Sequence, residues 1–242
     1  MWPPSPDELS GADLEAIYAY PAQLSRPWVQ VNFVASADGA VEIDTTSAGL
    51  SHAADREVFL LGRDLADVVL VGAGTARAER YRGVRASTRR VERRRRLGLA
   101  DVPPIAVVTR AADLDPASPL FTDTFVPPII VTTADAGTGP LEEAGAEILR
   151  AGDEDVDLPR ALSLLAERGL RRVDCEGGPG LFAGLIAADL VDQLCLTVAP
   201  LLAGGGAGRI AAGTPATPRR LALASILVED GFTLLRYRRD AG

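Results

Sequence analysis

Two glycine-rich turns are the residues of this chain best suited to chemistry. In each, an apolar strand-like run ends in glycines and gives way to a helical pattern. Asp67-Val-Val-Leu-Val71 runs into Gly72-Ala-Gly-Thr75, and Arg172-Val-Asp-Cys-Glu176 runs into Gly177-Gly-Pro-Gly180. Glycines lack a Cβ and let the backbone approach a phosphate closely, while the first amides of the next helix point at it with the positive end of the helix dipole. Glycines also serve a tight ligand-free turn, so either turn alone leaves both readings open. Glu176 favours a ligand at the second, because a carboxylate at the carboxyl end of a parallel strand stands on the binding rim of an open α/β sheet. The first turn is not a dinucleotide fingerprint, since Arg77 stands where the third glycine of G-x-G-x-x-G belongs. Together, two such turns with an arginine-rich stretch after one of them suit an extended ligand with several phosphates, such as a dinucleotide.

The rest of the inventory narrows the chemistry. All 25 basic residues are arginine. Without lysine, Schiff-base catalysis, a Walker-type phosphate loop and a kinase-type lysine are excluded. One histidine (His52) and two cysteines twenty residues apart (Cys175 and Cys195) supply neither a Cys/His zinc site nor a nucleic-acid deaminase site. No metal is assigned; only carboxylate-bound magnesium survives the inventory. The net charge of −8 argues against non-specific nucleic-acid binding, yet residues 77–96 form a window of +8 in a molecule whose remainder is −16. Within it, Arg82 and Arg85 lie nearest the glycine turn and are the candidates to face an anion. Arg89 to Arg96 read as a solvated charged helix. Asp38-Gly39 reads as a turn, His52 as a helix-terminal surface residue, and the two cysteines as reduced core thiols in a cytoplasmic protein. No signal architecture opens the chain, and no apolar run approaches the roughly 18 to 20 residues that span a bilayer.

These residues need elements to position them. Trp28 to Ala35 alternates in polarity and is rich in β-branched and aromatic residues, the pattern of a strand. Ser51 is the expected N-cap of a helix over about residues 53–65. Short apolar runs at Ile105 to Val108, Ile129 to Thr132 and Ala146 to Leu149 alternate with helical pattern, which implies parallel strands buried on both faces. The spacing predicts helices over 157–169 and 181–188. Strand-like Gln193 to Ala199 follows, and Leu221 to Glu229 and Phe232 to Tyr237 flank Asp230-Gly231, a hairpin signal. The expected fold is an α/β, mostly parallel mixed sheet flanked by helices and finished by antiparallel C-terminal strands. Residues 1–26 read as a leader and 27–240 as one domain.

Arg26-Pro-Trp-Val-Gln-Val-Asn-Phe-Val-Ala-Ser-Ala-Asp-Gly39, Ala66-Asp-Val-Val-Leu-Val-Gly-Ala-Gly-Thr75 and Asp174-Cys-Glu-Gly-Gly-Pro-Gly-Leu-Phe-Ala-Gly184 are three ordered motifs. With Leu190-Val-Asp-Gln-Leu194 and Ala199-Pro-Leu-Leu-Ala-Gly-Gly-Gly206, they resemble the reductase domain of riboflavin biosynthesis, which has the dihydrofolate reductase-like fold. The resemblance spans about residues 26–238. It implies NADPH as hydride donor and the ribosylamino side chain of a 5-aminouracil 5′-phosphate as acceptor, reduced to the ribityl form. By position, Val71, Gly72, Ala73, Gly74 and Thr75 with Glu79, and Gly177, Gly178, Pro179, Gly180, Leu181 and Phe182, would hold the cofactor. Gly49, Thr109 and Arg110 would also line it, with Ala35 and Ser36 near the nicotinamide. Ser47, Arg63, Arg85 and Glu176 fall on substrate positions, and Arg82 joins them by charge. The resemblance also implies a homodimer, and the zinc deaminase domain of bifunctional members is absent from the sequence. The cofactor carries the hydride, so the protein needs no strong nucleophile, and water can supply the proton. Two positions depart from the pattern: Asn32 stands where many members have lysine, and Gly49 where many have an aromatic. They keep two alternatives open, a dihydropterin or dihydrofolate-like substrate on the same fold and an NADPH-binding protein without catalysis.

Overall fold

Alternation along each strand sets the layers. In β2 (Val68–Gly72), Val68 and Leu70 pack to one side of the sheet and Val69 and Val71 to the other, all four buried. That is the continuous apolar run of a strand covered on both faces. The computed structural model describes residues 8–44 and 46–240. The other strands are β1 (Trp28–Ser36), β3 (Ile105–Val108), β4 (Ile129–Thr132), β5 (Glu147–Arg150), β6 (Arg172–Cys175), β7 (Gln193–Ala199), β8 (Leu221–Glu229) and β9 (Phe232–Arg239). They form one sheet in the order β5-β4-β3-β2-β6-β1-β7-β9-β8. Pairing is parallel from β5 through β7 and antiparallel at β7/β9 and β8/β9, the expected α/β architecture. Asp230 and Gly231 both have positive φ (49° and 81°), which closes the expected hairpin between Glu229 and Phe232.

Between the strands run α1 (Gly11–Tyr18), α2 (Ala53–Leu65), α3 (Ala73–Ala78), α4 (Thr88–Arg96), α5 (Pro119–Thr122), α6 (Gly139–Glu143), α7 (Leu158–Glu167) and α8 (Pro179–Ala187). One face of the sheet is covered by Ala161, Leu162 and Leu165 of α7 and by Phe182 and Leu185 of α8. The other packs on α3, α5 and α6 at one end, and on Val58, Leu61 and Leu65 of α2 at the other. Tyr18, at the end of α1, is buried against α2, inside the segment read as a leader. Both cysteines are free and buried. Among the described residues, no helix is long and apolar enough to cross a membrane.

Beneath α2 the sheet carries a polar row. Gln30 Nε2 donates to Asp174 Oδ1 at 3.3 Å, Gln193 Nε2 donates to Gln30 Oε1 at 2.6 Å, and Arg238 Nε donates to Gln193 Oε1 at 2.8 Å. Asp174 is fully buried, and burial, reinforced by the nearby Glu176 charge, pushes its carboxyl well above the usual range. Gly62 of α2 lies over it: a Cβ there would come within 2.6 Å of Asp174 Oδ2, so glycine is what lets the helix sit this close.

Two local expectations are corrected. The N-cap of α2 is His52, whose Nδ1 accepts from the Ala54 amide at 3.3 Å, while Ser51 Oγ donates instead to Asp55. His52 also stacks on Phe232 with ring centroids 4.6 Å apart. More consequentially, α4 is not a solvated charged helix. Arg90 and Arg94 are buried, and Arg93 has a side chain only 11% exposed. Arg90 and Arg93 both donate to Asp64, and Arg94 donates to the carbonyls of Arg63, Asp64 and Ala66 at 2.9, 3.2 and 2.6 Å. The physical reason is the guanidinium fork, which satisfies several acceptors at once and lets a charged sequence conceal an inward face. Arg94 closes the carboxyl end of α2, where helix carbonyls have no intrahelical partner. Arg94→Ala is therefore expected to destabilise the protein by about 2–4 kcal/mol, because three buried carbonyls lose their donor. Urea unfolding against Arg95→Ala, whose pair with Asp101 is solvent-exposed and screened by water, provides the check.

Candidate active site

A cleft of about 780 Å³ opens where β1, β2 and β6 end. Its wall is built on Glu176, one residue past β6, whose side chain is fully buried. Arg63, in the last turn of α2, donates from Nε and Nη2 to the two Glu176 oxygens at 2.6 and 2.7 Å. Tyr81 Oη donates to the same carboxylate at 2.7 Å. The Arg63 guanidinium lies over the rings of Phe59 and Tyr81, 4.6 and 5.5 Å from their centroids. Burial alone would lower the Arg63 pKa, but the facing Glu176 charge outweighs it and raises it; burial and Glu176 both push the Tyr81 phenol well up. Arg63 thus stays charged, and its two-pronged contact with Glu176 gives the cleft a rigid wall.

The two glycine turns abut each other. The Gly72 amide donates to the Gly177 carbonyl at 2.7 Å, joining the ends of β2 and β6. Gly177 has φ of +94°, and a Cβ on it would come within 2.9 Å of the Phe33 ring. A Cβ on Gly178 would come within 2.3 Å of Thr75 Oγ1. These two glycines are demanded by the protein itself. Gly74 and Gly180 differ: a Cβ on either meets nothing within 4 Å, so the fold leaves space there. Gly180 sits in the first turn of α8, whose N-cap Gly178 supplies no side-chain acceptor.

All five substrate candidates line the cleft: Ser47, Arg63, Arg82, Arg85 and Glu176. Of the cofactor candidates, Thr75, Glu79, Gly178 and Pro179 line it. Glu79 Oε1 accepts from both the amide and the hydroxyl of Ser47 at 3.0 Å, which ties the loop before α2 to the end of α3. Val71, Gly72, Ala73, Gly74, Gly177, Gly180, Leu181 and Phe182 belong to the abutting turns just beyond the lining. Thr109 and Arg110 follow β3, one strand farther along the same rim, where the Arg110 carbonyl accepts from Thr132 and Thr133. Ala35 and Ser36 are buried at the end of β1, and Gly49 packs near Ile43. Ser36 Oγ donates to Asp38, which also accepts from the Ala203 and Gly204 amides at 3.1 and 2.8 Å. These hydrogen bonds, that of Ser36 foremost, hold the Asp38 carboxyl down at about 2.

Several lining residues escaped the sequence reading. Phe59 precedes Arg63 by four residues, a spacing that puts both on one helix face, so that pair was readable. Tyr81 is a lone aromatic among charged residues, and its depth could not be read from its neighbours. Arg82 and Arg85 both donate to Asp123, at 3.5 and 2.6 Å, with exposed side chains. Arg56 and Arg80 also line the cleft and have no side-chain hydrogen bond or ion pair among the described residues. Arg80 has a φ of 50°, a left-handed conformation uncommon outside glycine. A second cleft, of about 500 Å³ between α1, α2 and α4, is walled by Arg89, Arg90 and Arg93, which are already paired with Glu57, Asp64 and Glu15. Its remaining arginine, Arg56, also lines the larger cleft.

Comparison with known proteins identifies the family. Residues 27–231 match the RibD C-terminal domain family. The chain is similar to the 2,5-diamino-6-ribosylamino-4(3H)-pyrimidinone 5′-phosphate reductase of Archaeoglobus fulgidus, 29% identical over 74% of this chain and 83% of that protein. It is 30% identical to the reductase of the same name from Methanothermobacter thermautotrophicus, over 74% of this chain and 81% of that one. A solved structure of a pyrimidine reductase-like protein from Corynebacterium diphtheriae superposes with a TM-score of 0.83 at 23% identity, covering 95% of this chain and 99% of that one. The chain belongs to the RibD C-terminal domain family and is an oxidoreductase on the dihydrofolate reductase-like fold.

Proposed function

We propose that the protein uses NADPH to reduce the ribosylamino side chain of a 5-aminopyrimidine 5′-phosphate to its ribityl form. The observation that carries this reading is one cleft that joins two abutting glycine turns to a wall of arginines. The residues fit the cofactor, since the fold leaves open space over Gly74 and Gly180, where a phosphate needs close backbone approach. NADPH supplies the hydride when bound, which leaves orientation, electrostatics and exclusion of water to the protein. In this reading Val71 to Thr75, Glu79 and Gly177 to Phe182 hold the cofactor. Ala35 and Ser36 stand near the nicotinamide, and Gly49, Thr109 and Arg110 extend the cofactor site. Ser47, Arg63 and Glu176 contact substrate. Its phosphate meets Arg85 and Arg82, whose exposed pairs with Asp123 are weak enough to exchange for an anion, together with Arg56 and Arg80. The reading extends to a cytoplasmic homodimer that binds small molecules and no nucleic acid, consistent with a net charge of −8.

The names of the two archaeal relatives favour the 2,5-diamino-pyrimidinone as acceptor over the 5-aminouracil form. Steady-state NADPH oxidation with each of these phosphates, and with dihydrofolate, tests the proposal. Turnover is expected with one or both pyrimidines and none with dihydrofolate. Turnover of dihydrofolate alone would overturn it, and tight NADPH binding with no oxidation of any acceptor would favour a protein without catalysis.

A further inference from the structure

One buried acid beside the cleft has no role in the chemistry above. Asp174 stands two residues before Glu176, so the alternation of β6 turns both carboxyls toward α2. There Gly62 covers Asp174, and Arg63, next in sequence, grips Glu176. The two acids are supplied unequally. Glu176 accepts three hydrogen bonds from Arg63 and Tyr81. Among the described residues Asp174 accepts one, at 3.3 Å from the neutral Gln30 amide, and its Oδ2 has no partner. Val69 flanks it on the opposite strand, and a Cβ on Gly62 would lie 2.6 to 3.1 Å from the three carboxyl atoms.

An ionised carboxylate out of water needs several donors or a cation, and this one is offered a single amide. A carboxyl that keeps its proton fits the site. Facing it are Arg63 from α2, Glu176 past the end of β6, Tyr20 from the segment before β1 and Cys195 from β7. Burial pushes the Tyr20 phenol well up and the Cys195 thiol up to about 12, so neither carries charge at neutral pH. Arg63 is then the one cation among these groups, and its Nε and Nη2 are committed to Glu176. Were Asp174 to ionise, two carboxylates on one strand would compete for one guanidinium. Either Arg63 turns from Glu176 toward Asp174, or α2 lifts to admit water; each undoes the wall of the cleft.

We infer that Asp174 is a positioning residue whose neutral carboxyl keeps Arg63 on Glu176, and that its ionisation opens the cleft wall and suppresses turnover. The effect on turnover rests on the function proposed above, whereas the state of the carboxyl does not.

Thermal midpoints and the pH dependence of kcat/KM test it in wild type and Asp174→Asn, the second with NADPH and the ribosylaminopyrimidine 5′-phosphate. Asparagine gives Gln30 the same acceptor and cannot ionise. The folded chain holds the Asp174 proton more tightly than the unfolded chain does. Stability present below the ordinary carboxylate range is therefore lost as pH rises toward the folded value. Between about pH 5 and 7 the wild-type midpoint is expected to fall relative to the variant's by about 3 °C per pH unit. On the alkaline side, kcat/KM of wild type is expected to fall by up to about tenfold per pH unit while the variant's profile stays flat. Tyr81, which burial also pushes well up, does not supply that limb. Asp174→Ser repeats both arms if asparagine does not fold. A constant midpoint difference overturns the inference, because Asp174 would then be ionised in the folded protein. A widening difference with coincident activity profiles also overturns it, since the buried proton would then serve the fold alone. Failure of wild type to turn over the pyrimidine phosphate overturns the proposed function and the positioning role with it, while the midpoints still decide whether Asp174 is neutral.

Discussion

Arg63→Ala is expected to lower the unfolding free energy by about 3–5 kcal/mol, because it leaves the Glu176 carboxylate buried without its cation. The Glu176 side chain is fully buried, and Arg63 is only 16% exposed, so solvent cannot take over the lost contacts. Tyr81 would remain as the single donor to that carboxylate. The size of the loss does not measure the net worth of the pair. A buried ion pair replaced on both sides by apolar residues of similar volume is often neutral in stability. The triple substitution Arg63→Met, Glu176→Leu, Tyr81→Phe removes the charges and the phenol together, and is expected to unfold near the wild-type midpoint. Both variants should lose turnover with the pyrimidine phosphate while retaining NADPH binding. Urea unfolding with NADPH-oxidation assays separates the cases: a stable triple variant with full activity would show that the pair only supports the fold.

The fold was legible because its strands announce themselves. Short apolar runs between turn residues located β2, β3, β4 and β7, and Asp230-Gly231 located the hairpin. Motif order carries position, so the glycine turns, Glu176 and Arg63 could be expected close together, and Thr75, Gly178, Glu176 and Arg63 do line one cleft. What could not be read was pairing across the fold. Arg63 and Glu176 are 113 residues apart, and their identities alone do not distinguish two free ligand contacts from one closed ion pair. The arginine window failed for a related reason: hydropathy treats every guanidinium as solvated, whereas Arg90, Arg93 and Arg94 face inward at helical spacing onto Asp64 and the end of α2. The polar row of Gln30, Asp174 and Gln193 was hidden because each looks like an ordinary polar position in its own strand. Only the register brings them together.

Gly180→Ala is expected to weaken NADPH binding by about tenfold to a hundredfold while leaving the protein as stable or up to about 1 kcal/mol more stable. The two effects part because they depend on different neighbours. A Cβ on Gly180 meets no protein atom within 4 Å, and the residue lies in the first turn of α8 with no positive φ to strain it, so alanine only removes freedom from the unfolded chain. The same Cβ would occupy the space through which a cofactor phosphate must approach the α8 amides. Gly178→Ala behaves differently, since its Cβ would come within 2.3 Å of Thr75 Oγ1. It is expected to lose stability and cofactor affinity together, and cannot by itself tell a damaged turn from a blocked ligand. Calorimetric NADPH titration of the Gly180 variant, paired with its thermal midpoint, makes that distinction. Wild-type affinity in a stable Gly180→Ala protein would move the cofactor phosphate away from α8 and leave the Gly72 to Thr75 turn as its remaining cradle.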